Sequence, residues 1–104
     1  MKMATEDMIK ESLIDQLKAQ NKFTGYCIDL VDTYMTHYRL KEELARDIEK
    51  NGIRITVGTG NGHDKTIANP SVTDLKNETL VMVQILKALD LQEPTLAGSK
   101  DDYL

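Results

Sequence analysis

From Gly25 to Lys50 the sequence runs without a proline and then meets Asn51-Gly52, the residue pair of a left-handed helix stop. A helix over that whole stretch is roughly 40 Å long. A compact domain of about 100 residues has a radius of gyration of only about 13 Å. Such a helix must project from the body of the fold or be covered by another copy of the chain. Its apolar stripe is Cys27, Val31, Tyr34, Met35, Tyr38 and Ala45, with Leu44 and Ile48 rotated toward another side. The polar run Arg39-Leu40-Lys41-Glu42-Glu43 crosses its middle and argues against a long uninterrupted coiled coil.

The flanking segments follow from their punctuation. Thr5 can cap a first helix, Glu6 and Asp7 suit the positive end of its dipole, and Ile9, Leu13 and Leu17 recur every four residues. Gln20-Asn21-Lys22 ends it, and Thr24 caps the long helix. After Gly52, Ile53-Arg54-Ile55-Thr56-Val57 alternates as a half-buried strand does, Gly58 to His63 is turn chemistry, and Lys65-Thr66-Ile67 returns as a partner strand. Asn69-Pro70 opens a third helix to about Leu91, with Ser71 as an alternative cap. The expected fold is mainly α: three helices with a small β-hairpin, the third helix antiparallel to the long one. The expected divisions are an N-terminal helix (1–22), a helix-hairpin-helix oligomerisation core (23–91) and an acidic flexible tail (92–104).

A chain of 104 residues allows one domain. With 40% hydrophobic and 29% charged residues it is neither a disordered tail nor a membrane protein, and its start turns acidic before any hydrophobic stretch, unlike a secretory signal. A lone Cys27 excludes an internal disulfide, and with only His37 and His63 beside it a structural zinc site is not expected. The net charge is −4 and no segment is strongly basic, so one isolated copy lacks the electrostatic footprint of a nucleic-acid binder.

Motifs for catalysis are missing. Gly58-x-Gly60-x-Gly62 ahead of Lys65-Thr66 invites comparison with a phosphate-binding loop, but Asp64 stands where that pattern needs glycine, so a hairpin turn is the better reading. The spacing of Asp32 and Glu42 around His37 does not make a metal pair. No nucleophile–base pair or ligand cluster is visible, and no cofactor is expected. Scattered cations are the candidates for contacting nucleic acid: Lys10, Lys18 and Lys22, then Arg39, Lys41, Arg46 and Lys50, then Arg54 and Lys65. They become useful when several copies are arrayed together. Between Leu80 and Leu86, Gln84 is the only polar residue, and a helix apolar nearly all round is covered on more than one side. Val81, Val83 and Ile85, with Ile53, Ile55 and Val57 of the hairpin, are therefore expected at a subunit interface.

The order long helix, glycine stop, strand, glycine-rich turn, Asn-Pro, helix is distinctive. The stretch from Tyr34 and Tyr38 through Ile48-Glu49-Lys50-Asn51-Gly52-Ile53 resembles the phage terminase small subunits of the P27 type, as do Ala68-Asn69-Pro70 and Leu86-Lys87-Ala88-Leu89-Asp90-Leu91. That resemblance implies a non-catalytic ring oligomer in the host cytoplasm. It would bind the packaging-initiation site on viral double-stranded DNA and regulate the large subunit, which holds the ATPase and nuclease. Some relatives also work with an HNH endonuclease. The competing expectation, favoured by the negative charge, is a helical adaptor or regulator that binds protein without DNA.

Overall fold

The computed structural model describes residues 4–94. In chain order it contains α1 (Thr5–Ala19), α2 (Gly25–Asn51), β1 (Arg54–Gly58), β2 (Asp64–Ala68) and α3 (Pro70–Leu89). The expected acidic tail lies outside the described residues from position 95 onward.

Local chemistry sets each boundary. α1 begins one residue earlier than its threonine suggested: Ala4 is the N-cap, no side chain caps it, and Thr5 is already helical. Glu6 and Asp7 in the first turn complement the exposed N–H groups instead. At its end Asn21 is left-handed (φ 58°), and the Lys22 N–H donates to the Leu17 carbonyl at 2.8 Å. Thr24 caps α2 by accepting from the Cys27 N–H at 3.4 Å. Gly52 stops α2 with φ 83°, a value that costs a side-chain-bearing residue strain, and its N–H donates to the Ile48 carbonyl at 2.7 Å. Asn69 caps α3 with Pro70 in the first turn.

α1 runs antiparallel along the first half of α2, with Glu6 beside Arg39 and Lys10 beside Asp32. α3 also runs antiparallel to α2, with Ser71 beside Asp47 and Glu78 beside His37. Its C-terminal end therefore returns to the end of α1, where the Gln20 side chain donates to the Asp90 carbonyl at 3.0 Å. The core sits where all three helices meet. Leu13, Leu17 and Val31 are fully buried, joined by Ile9, Tyr34, Met35, Met82, Ile85, Leu89 and Leu91. Each such side chain contributes about 1.5–3 kcal/mol by leaving water.

Beyond that core only α2 and α3 continue, and the hairpin extends from their far end. The molecule measures 61 × 31 × 26 Å with a radius of gyration of 18.1 Å. It is elongated, as the long proline-free run requires.

Three expectations change. The stripe on α2 does not continue to Ala45, which is exposed; Leu44 and Ile48 are the partly buried apolar residues there. The first half of α2 lies between α1 and α3, whereas the second half faces α3 alone, so its covered side rotates. α3 stops at Leu89, because Asp90 turns left-handed (φ 56°) and folds Leu91 back into the core. Ile85, expected at a subunit interface, is 8% exposed and packs within one chain, and Val81 packs against the same core.

Candidate functional site

The hairpin is antiparallel, pairing Arg54 with Ala68, Ile55 with Ile67, Thr56 with Thr66, Val57 with Lys65 and Gly58 with Asp64. Alternation gives it two faces. One carries Arg54, Thr56, Thr66 and Asp64, all exposed; the other carries partly buried Ile55, Val57 and Ile67, with Lys65 toward the tip. The glycine-rich loop between the strands is closed by its own bonds. The Thr59 hydroxyl donates to the His63 carbonyl at 2.7 Å, and the Thr59 N–H donates to the same oxygen at 3.1 Å. A strand follows this loop, where a phosphate-binding loop would lead into a helix.

Asp47, near the end of α2, anchors the hairpin's base. Its carboxylate accepts from the Asn51 amide at 2.8 Å, the Asn69 amide at 3.0 Å and the Ser71 hydroxyl at 2.7 Å. The same Asn69 amide donates to the Gly52 carbonyl at 2.9 Å, and its N–H donates to the Ile53 carbonyl at 2.8 Å. Bonds from Ser71, Asn69 and Asn51, helped by nearby Lys50, hold the Asp47 carboxyl below its ordinary value. Asn69 is 3% exposed and is the buried polar residue on which two strand ends and two helix ends converge.

The nine candidate cations do not gather on one face. Lys10 pairs with Asp32 at 3.1 Å, and Arg39 pairs with Glu6. Lys22 donates to the Leu89 carbonyl at 3.3 Å, at the negative end of α3. Lys18 lies 5.1 Å from the centre of the Phe23 ring and Lys41 lies 5.9 Å from that of Tyr38. Lys50 sits near Asp47. Arg46 lines a shallow hollow with Thr5, Glu6, Tyr38, Arg39, Glu42 and Glu43. In that hollow the Tyr38 phenol donates to Glu42, and this bond, then burial, then nearby negative charge, pushes its pKa up to about 12. Arg54 and Lys65 lie on opposite faces of the hairpin. Among the described residues, Arg46, Lys50, Arg54 and Lys65 are the four of the nine that have no ion pair, ring contact or hydrogen bond from the side chain, and of these Lys50 alone lies near the Asp47 charge.

Two surfaces escaped the sequence reading. A groove of about 530 Å³ opens between α2 and α3, lined by Leu40, Glu43, Leu44, Asp74, Asn77 and Glu78. Its lining comes from two elements, so no single periodicity announces it. On the outer side of α3, Lys76 and Lys87 are exposed and unpaired among the described residues. Their spacing with Leu80 and Val83 was legible as a helical stripe. No group of three or more His, Cys, Asp and Glu residues is placed to hold a metal ion among the described residues. No described helix is long and apolar enough to cross a membrane.

Large side chains stay exposed along this architecture: Ile53 (64%), Leu40 (40%), Val72 (39%), Leu80 (50%) and Val83 (41%). No curated protein and no solved structure matches the chain. The family model for the phage terminase small subunit matches residues 11–94, which spans α1 beyond its first turn and a half, α2, the hairpin and α3. The chain therefore belongs to the phage terminase small subunit family.

Proposed function

We propose that this phage DNA-packaging small subunit works without catalysis, as a closed ring of identical copies of the P27 type. The ring binds the packaging-initiation site on viral double-stranded DNA and regulates the large ATPase/nuclease subunit. One observation carries the assembly: the second half of α2, the hairpin base and the outer face of α3 leave Leu40, Ile53, Val72, Leu80 and Val83 in water, although the chain has a well-filled core. A two-stranded hairpin is marginal alone, and Ile55 and Val57 on its apolar face are only partly covered. Ile53, Ile55, Val57 and Val83 are the interface residues in this reading, with Val81 lying at the margin of the core.

Arraying copies answers the charge problem. Arg46 and Arg54 offer few charges per copy, but a ring repeats them and converts weak contacts into avidity. Light scattering or native mass spectrometry at tens of micromolar tests assembly, and a monomer there contradicts it. Titration of viral duplex DNA across salt concentrations tests the DNA role, because phosphate contacts weaken steeply with salt. The P27 assignment adds an HNH endonuclease as a further partner, tested by co-purification with that enzyme from the same phage.

A second reading has its own support. Lys10, Lys18, Lys22, Arg39 and Lys41 are engaged within the chain, and the net charge is −4. These facts favour a helical regulator that docks on protein alone. An oligomer that shows no salt-sensitive binding to viral DNA leaves this reading in place of the first.

A further inference from the structure

α3 carries a second stripe on the side turned away from α2. Val72, Lys76, Leu80, Val83 and Lys87 are spaced four, four, three and four residues apart, which keeps them on one helical face. Val72, Leu80 and Val83 are 39%, 50% and 41% exposed, and both lysines are exposed. The groove between α2 and α3 has the opposite character. Leu40 and Leu44 lie among the carboxylates of Glu43, Asp74 and Glu78, the last of which pairs with His37.

We infer that the outer stripe of α3 from one copy seats in the α2–α3 groove of the next. This rests on the assembly reading and adds to the hairpin's contact a second pair of surfaces. Leu80 and Val83 rise about 4.5 Å along their helix and Leu40 and Leu44 about 6 Å along theirs, so two apolar pairs of similar span face each other. Lys76, one turn before Leu80, then falls among the carboxylates that flank the leucines. Charge argues against the other occupants. Three carboxylates repel a phosphate backbone, and the matching basic-apolar stripe is present on this same chain. The two surfaces are different patches, so the contact is heterologous: it propagates head to tail, and it closes into a ring when the rotation per copy permits.

The experiment uses the full chain with two pairs of exposed substitutions, K76E/K87E on the stripe and E43K/D74K in the groove, each checked for unchanged helicity by circular dichroism. Each variant alone is expected to associate about tenfold or more weakly than the unaltered chain, and an equimolar mixture of the two is expected to associate more strongly than either variant alone. Separately, L40C and L80C are placed in a C27S background with a short bismaleimide cross-linker. Cross-linked dimers are expected from the mixture of L40C and L80C and not from L80C alone. If the unaltered chain assembles but both charge variants assemble equally well, the pairing is wrong while the assembly reading survives. Dimers from L80C alone indicate a self-complementary contact and overturn the pairing in the same way. A monomeric unaltered chain removes the assembly reading and this inference together.

Discussion

Asn69 bonds to Asp47 across the joint where the hairpin leaves the helices, its amide donating to one carboxylate oxygen at 3.0 Å while also donating to the Gly52 carbonyl at 2.9 Å. One buried side chain therefore holds the end of α2, both strand bases and the start of α3. Substituting Asn69 with Ala leaves the Gly52 carbonyl and the Ser71 N–H without their partner. The expected loss is about 1–3 kcal/mol, read as a lower urea midpoint with an unchanged slope. A midpoint equal to that of the unaltered chain would show that the joint is held by backbone bonds alone.

The same joint predicts an acid limb. Asp47 is held below its ordinary value, so in the window just under that value the folded chain binds fewer protons than the unfolded one. Stability from this group is present above the unfolded Asp pKa and is lost as pH falls through the lowered folded one. Asp47→Asn, with one acceptor oxygen for three donors, is expected to be less stable at neutral pH and to flatten this part of the profile. Denaturation midpoints from about pH 5 down to about pH 2 test it. An acid limb equally steep in both proteins would assign it to other carboxylates.

Much of this architecture is written locally. Thr24, Gly52 and Asn69-Pro70 act within a few residues of themselves, which is why the helix and hairpin boundaries could be read from the chain. What each cation does could not be read in that way. Arg39 meets Glu6 and Lys10 meets Asp32 only because α1 folds back along α2. Ile85 looked surplus on a single helix, yet α3 re-enters the three-helix end and buries it. The Leu40–Asp74 groove likewise exists only once two helices are side by side. Intrachain pairing across elements is a tertiary fact, and sequence spacing is silent on it.

Tyr38 should ionise late. Its phenol donates to Glu42 and its pKa is pushed up to about 12, so the stability linked to it is present below the unfolded value of 10.0 and is lost as pH rises through the folded value. Absorbance titration of the phenolate should show this late component. Glu42→Gln removes the bond to an ionised acceptor and should bring the midpoint back toward the ordinary value. A midpoint that does not move would shift the cause to burial.

Core and surface apolar residues should behave in opposite ways. Leu13 is fully buried between helices, and Leu13→Ala is expected to cost about 2–5 kcal/mol, a large share of the stability of a domain this small. Ile53 is 64% exposed, and Ile53→Ser should shift stability by less than about 0.5 kcal/mol at concentrations where the chain is a single copy. At tens of micromolar the second variant should instead lower the assembly mass. An Ile53→Ser variant that assembles fully would move the interface away from the hairpin base.

The cations divide by whether the chain already uses them. Lys10, Lys18 and Lys22 have partners within the fold, and an exposed pair of this kind is worth about 0–1 kcal/mol, enough to make a phosphate contact an exchange rather than a gain. Arg46, Arg54 and Lys65 give up no such partner. Each phosphate they neutralise adds about 0.9 to the salt slope of binding. Arg46→Ala with Arg54→Ala should therefore flatten the slope for viral duplex DNA more than Lys10→Ala with Lys18→Ala. The hairpin sharpens the comparison. If its Ile55–Val57 face is sealed between copies, Lys65 on that face is shielded while Arg54 on the other stays open. Arg54→Ala should then weaken binding and Lys65→Ala should leave it nearly unchanged. The reverse order would place the apolar face of the hairpin toward the DNA and require a different seal between subunits.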